Sequence, residues 1–135
     1  LEIQHHMERT NMQREKMRMP RWDMRIGLHS GPIIAGVVGE KKFTYDVWGD
    51  AVNIAALMEK EGAPCRINVS QTTFQQVSEA FETEERGGID SGKKGLLTMY
   101  FVNRLKPEFS SDADGIKPNE EFQQQFGNLL RIYDR

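Results

Sequence analysis

Tyr45-Asp46-Val47-Trp48-Gly49-Asp50-Ala51-Val52-Asn53-Ile54-Ala55 changes its period in mid-stretch. Phe43, Tyr45 and Val47 alternate with Lys42, Thr44 and Asp46, the period-two pattern of a strand. Gly49 breaks the alternation. Beyond it, Ala51, Ile54, Ala55 and Met58 fall on one stripe at about 100° per residue. Ala51–Glu61 therefore reads as a helix with that stripe on the core, with Asp50 expected as its N-cap and Gly62 as its C-cap. A strand running into a helix N-terminus is a frequent ligand site, because the first backbone N–H groups of the helix lack partners.

Three features near this junction can carry chemistry. Asp46 lies on the polar side of the strand and can accept a hydrogen bond from the amino group of a base; the alternative is a surface aspartate in a turn. Asn53 and Leu57 are four residues apart and stack on the face opposite the core stripe. An apolar Leu57 there points to a ligand cleft, to a partner subunit, or simply to a lone exposed leucine. In Gly92-Lys93-Lys94-Gly95, glycines permit a tight bend and lysines supply charge for a phosphate. The spacing is not that of a P-loop, and a Gly-Lys hairpin turn is the other reading. No nucleophile constellation appears: Cys65 has no evident histidine partner, and the carboxylates form no pair assignable to a metal. His5 and His6 are helix neighbours that point in different directions, a poor metal pair.

Outward from the junction, residues 1–19 are rich in helix formers, and Pro20 ends them. Trp22, Met24, Ile26 and Leu28 alternate with polar residues or glycine, as in a half-buried strand. Ile33–Val38 is apolar on both sides, a central strand or an interface strand, and 33–47 reads as one long hairpin. Arg66–Val69 is a short strand, and Ser70 caps a helix over 71–81. Glu84–Asp90 and Leu97–Val102 read as further strands. Residues 107–117 look like a polar linker, and Asn119 is placed to cap a helix from Glu120 to Ile132. This order gives an α+β fold with a mixed or antiparallel sheet.

The 135 residues are 38% hydrophobic and 28% charged, enough for one domain with a modest core. A net charge of -2 argues against nucleic acid as a partner. No apolar run approaches the ~20 residues of a membrane span, and no signal peptide is visible. No membrane contact is expected from this segment. The single cysteine excludes an internal disulfide and fits a reducing compartment. The chain opens on Leu1 rather than Met, in what reads as mid-helix, so it is expected to be a piece of a longer protein, truncated at its N-terminus.

Arg25-Ile26-Gly27-Leu28-His29-Ser30-Gly31-Pro32, then Ala35-Gly36-Val37-Val38-Gly39, resembles the strand and hairpin of class III adenylyl and guanylyl cyclases. The junction Tyr45–Ala55 resembles their substrate-binding strand and helix. Lys93-Lys94-Gly95 with Thr98–Val102 resembles their lysine–glycine loop and last strand. The likeness runs from about Trp22 to Asn103. It assigns 1–106 to the C-terminal portion of a cyclase catalytic domain and leaves 107–135 as a linker and C-terminal helix.

The resemblance implies a ferredoxin-like α+β domain that works as a homodimer or heterodimer, with its sites at the subunit interface and its hairpin reaching over the partner. It implies conversion of ATP, with GTP the lesser alternative, to the 3′,5′-cyclic nucleotide and pyrophosphate, in the cytoplasm. By the same resemblance Asp46 contacts the purine, Val47 touches it through its backbone, Asn53 orients the ribose, and Lys94 binds the terminal phosphates. The family's Mg²⁺ or Mn²⁺ ions are held by two aspartates on strands that would precede Leu1. One departure stands out: where the family has a transition-state arginine, four residues after the ribose asparagine, this chain has Leu57. A degenerate, regulatory cyclase half is the competing reading.

Overall fold

β4 (Ile67–Ser70) is buried along its whole length, and the main sheet is assembled around it. The computed structural model describes residues 1–40, 42–92 and 95–130. In chain order the elements are α1 (Glu2–Lys16), β1 (Ile26–Leu28), β2 (Ile34–Val38), β3 (Thr44–Trp48), α2 (Asp50–Lys60), β4, α3 (Gln71–Val77), β5 (Phe81–Asp90), β6 (Leu96–Leu105), a 3₁₀ turn at Pro107–Phe109 and α4 (Glu120–Leu130). The sheet runs β1-β4-β6-β5. β1 lies parallel to β4, and the other two pairings are antiparallel. The fold is thus α+β with a mixed sheet, as the element order predicts.

Apolar side chains of the two inner strands form the core. Ile67, Val69, Tyr100 and Val102 are buried together, with Ile26, Phe74, Val77 and Phe81 packed around them. Phe74 of α3 stacks on Tyr100 with ring centroids 3.9 Å apart. A second cluster of Ala80, Leu105 and Phe109 receives Phe122 and Phe126 of α4. Residues after Pro107 therefore lie against the sheet. Asn119 caps α4 as expected, accepting from the Phe122 N–H at 2.9 Å.

Several boundaries differ from the sequence expectation. The first strand spans only Ile26–Leu28, although the alternation begins at Trp22. The wholly buried side chain of Asn11 on α1 takes over the Trp22 backbone: its amide nitrogen donates to the Trp22 carbonyl at 3.0 Å, and its oxygen accepts from the Trp22 N–H at 2.8 Å. Those groups are then not offered to a neighbouring strand. α3 stops at Val77 rather than near 81, because Phe81 is already paired with Leu105 in the sheet. Ile33–Val38 does not become a central strand. It supplies β2, which among the described residues pairs with β3 alone, in a separate two-stranded sheet.

Candidate active site at the β3–α2 junction

Gly49 makes the junction. It is the N-cap of α2, with φ +134°, a backbone conformation that side chains beyond glycine rarely adopt. Asp50, expected as the cap, is instead the first helical residue, and α2 has no side-chain N-cap hydrogen bond. At the other end Glu61, rather than Gly62, is the C-cap.

Asp46 faces Gly36 across the hairpin. A Cβ on Gly36 would lie 3.5 Å from the Trp48 ring, so that ring leans over the same face of the hairpin. The Asp46 carboxylate is exposed, and Oδ1 accepts from the Val47 N–H at 2.8 Å. This ties together two of the residues predicted to meet a purine. Asn53 stands exposed in the first turn of α2, and Leu57 one turn further on is half-buried. Asp46, Val47, Asn53 and Leu57 thus share one strand–helix unit. Lys94 lies outside the described residues.

The hairpin is apolar and uncovered. Ile34 is 71% exposed, Phe43 73% and Tyr45 70%. Ile34 lies on one face of the hairpin, and Phe43 and Tyr45 on the other; exposed apolar surface of this kind marks an interaction site.

The far end of α2 is held by side chains that sequence reading does not single out. Asn68, wholly buried on β4, donates from Nδ2 to the Met58 carbonyl at 2.9 Å. Arg25, just before β1, pairs with the Glu59 carboxylate at 3.1 Å and donates to the Lys60 carbonyl at 3.4 Å. Arg86 on β5 donates to the Glu61 carbonyl at 2.7 Å. The one hint in the sequence is Gly87-Gly88, since glycines within a strand mark bulges.

Among the described residues no three His, Cys, Asp or Glu side chains come together to hold a metal ion. That donor set does not fit a divalent-metal centre. A cleft of about 360 Å³ between α1 and β6 is lined by Gln4, His5, Cys65 and Asn103 among others, and by none of the predicted site residues. No helix among the described residues is long and apolar enough to cross a membrane.

The profile of the adenylate and guanylate cyclase catalytic domain family matches residues 1–104. An adenylate cyclase of Mycobacterium tuberculosis is 38% identical over 96 residues, covering 70% of this chain and 22% of that protein. The guanylate cyclase soluble subunit beta-2 of Rattus norvegicus is 41% identical over 101 residues, covering 68% of this chain and 15% of that protein. Among solved structures, the guanylate cyclase domain of RhGC from Catenaria anguillulae in complex with GTP superposes with a TM-score of 0.58 at 35% identity, covering 61% of this chain and 45% of that one. The sheet, the junction and these likenesses define a nucleotide cyclase catalytic domain. The chain belongs to the adenylate and guanylate cyclase catalytic domain family, and it spans about a fifth or less of the length of those two relatives.

Proposed function

We propose that the protein to which this chain belongs converts ATP to cyclic AMP and pyrophosphate in the cytoplasm, at an interface between two cyclase domains. The observation that carries this reading is the exposed β3–α2 junction, where an acceptor, Asp46, and an amide, Asn53, follow one another on consecutive elements. The Asp46 carboxylate accepts from the exocyclic amino group of adenine. Guanine presents an oxygen at that position, so two acceptors would face each other. The Asn53 amide orients the ribose, and the Lys94 ammonium offsets charge on the terminal phosphates. The ribose 3′-oxygen, passing its proton to solvent water, attacks the α-phosphorus, and the bond from that phosphorus to the pyrophosphate oxygen breaks. The apolar hairpin, with Ile34 uncovered on one face and Phe43 and Tyr45 on the other, seats the partner domain, a second copy or a related cyclase half.

Leu57 favours a second reading, a regulatory cyclase half without turnover of its own. Leucine neither donates a hydrogen bond nor carries charge. Loss of one transition-state donor typically costs about 10²–10³ in rate.

Cyclic nucleotide production by the intact protein with Mg²⁺ or Mn²⁺, from ATP and GTP separately and beside a Leu57→Arg variant, tests both readings. Cyclic AMP from the unmodified protein establishes the cyclase and shows position 57 to be compensated. Product from Leu57→Arg alone means a site whole except for the guanidinium. Silence from both, with nucleotide still bound, establishes the regulatory half.

A further inference from the structure

We infer that Arg86 is a positioning residue for the nucleotide site: it holds the C-terminal end of α2 and, through the helix, sets where Asn53 stands. The inference rests on the reading of Asn53 as a nucleotide contact. It begins with a bulge. In the β5–β6 ladder Glu85 pairs with Tyr100 and Gly87 with Met99, so Arg86 is the extra residue on the bulged strand. A bulge re-aims the side chain it carries, and Gly87, at φ +88°, supplies the backbone turn that this one needs.

The re-aimed guanidinium lies 4.1 Å from the centroid of the buried Phe101 ring, where a cation is attracted to the aromatic face. From there Nη1 reaches the carbonyl of Glu61, the C-cap of α2. Carbonyls in the last turn of a helix lack intrahelical partners, and that end carries the negative pole of the helix dipole. At α2 the Gly62 N–H serves the Glu59 carbonyl at 3.0 Å. The Met58, Lys60 and Glu61 carbonyls are served by Asn68, Arg25 and Arg86, from three separate segments of the chain.

The other end of α2 contrasts with this. It has no side-chain cap and continues directly from the exposed hairpin. Asn53 lies eight residues from Glu61, about 12 Å along the axis. The helix is thus held by side-chain hydrogen bonds at its far end, while in its first turn Ala51 is buried and Asn53 stands exposed. Arg86 is the member of the anchor that can be tested cleanly, because it is half-buried, whereas Asn68 is wholly inside the core.

The test uses the intact protein with Arg86→Met, which keeps the stem and removes the donor, and Arg86→Lys, which keeps a charged donor. Amide hydrogen exchange is followed across α2 and across β4–β6, and ATP binding is measured calorimetrically in the Asn53 and Asn53→Ala backgrounds. Arg86→Met is expected to speed exchange in α2 about tenfold, the loss of one charge-assisted hydrogen bond. It is also expected to weaken ATP binding about fivefold with Asn53 present and to add little once Asn53 is gone. Arg86→Lys should restore most of both. Equal weakening in the two backgrounds, or faster exchange spread evenly over the sheet, would reduce Arg86 to a general stabiliser and overturn the inference. No ATP binding by the unmodified intact protein overturns the nucleotide reading itself. In that case exchange confined to α2 still establishes the anchor, and unchanged exchange removes it.

Discussion

β1 lies against α2 with no room for a side chain between Gly27 and Glu59: a Cβ built on Gly27 would stand 2.0 Å from the Glu59 backbone nitrogen and 2.5 Å from its Cα. The Ala55 carbonyl oxygen would be 2.6 Å away. All three obstacles belong to backbone, so neither a rotamer change nor a small side-chain shift relieves them. Gly27→Ala must push the helix off the strand. A loss of about 3 kcal/mol is expected, at the upper end of ordinary overpacking, together with weaker nucleotide binding as Asn53 moves with its helix. Urea unfolding of the two proteins checks it; an unchanged midpoint would mean that this contact is looser than described.

Asp46→Ala separates recognition of the base from recognition of the rest of the nucleotide. Removing the acceptor is expected to weaken ATP about tenfold, the worth of one hydrogen bond to a charged group, and to strengthen GTP by relieving the clash of two acceptors. Competition binding with the two nucleotides reads this directly. A parallel loss for both would move Asp46 from base reading to holding the Val47 N–H, its partner in the structure.

Ile34→Glu tests the hairpin as the partner's seat. Ile34 is largely exposed and packs on no buried cluster, so the substitution should leave the thermal midpoint almost unmoved. A charge in the centre of an apolar interface is costly to desolvate, so association should be lost. Sedimentation analysis reads the outcome, and an Ile34→Glu protein that still associates would place the partner on another surface.

Asp112 gives a pH test. Its carboxyl is held below the usual range, chiefly by the Ile116 N–H at 2.8 Å. Burial opposes this, and the Ser110 hydroxyl and the Lys117 N–H add to it. A depressed carboxyl contributes stability above its unfolded pKa, and the contribution is lost as pH falls through the folded value. The turn at 110–118 should therefore be intact at neutral pH and loosen only in acid. Expected is an Ile116 amide resonance that titrates below the ordinary aspartate range, near 3.9, and stops titrating in Asp112→Asn. A midpoint at or above the ordinary value would contradict the assignment.

The sequence made α2 legible because its apolar stripe is the core face: Ala51 and Met58 are buried, and Asn53 is exposed. The period change at Gly49 likewise exposed the junction that carries Asp46 and Asn53. The Trp22 strand was over-read because the Asn11 amide that occupies its backbone lies eleven residues away on a helix. Arg86 was illegible for a related reason. A bulge breaks the period-two rule at the very residue it re-aims, and its target carbonyl lies in another element. The polar composition around 107–117 likewise hides Phe109, whose ring meets Phe126 at 5.3 Å.

The parallel pairing of β1 with β4 joins Ile26 to Ile67, about forty residues apart in the chain, whereas β5 and β6 face each other across one short loop. Closing a long loop costs more entropy than closing a short one, and non-local pairs form late. The β5–β6 hairpin is thus the expected starting point of assembly, with β4 joining it and β1 arriving last. On unfolding the order reverses: β1, and the hairpin and α2 strung between it and β4, should open before the rest of the sheet lets go. Native-state exchange in mild denaturant tests this: β1 amides should exchange through an opening of lower free energy than β6 amides, and equal opening free energies for the two strands would mean that the order is wrong. If it is right, the half of the molecule that carries the nucleotide site is also the half that can unfasten without unfolding the whole.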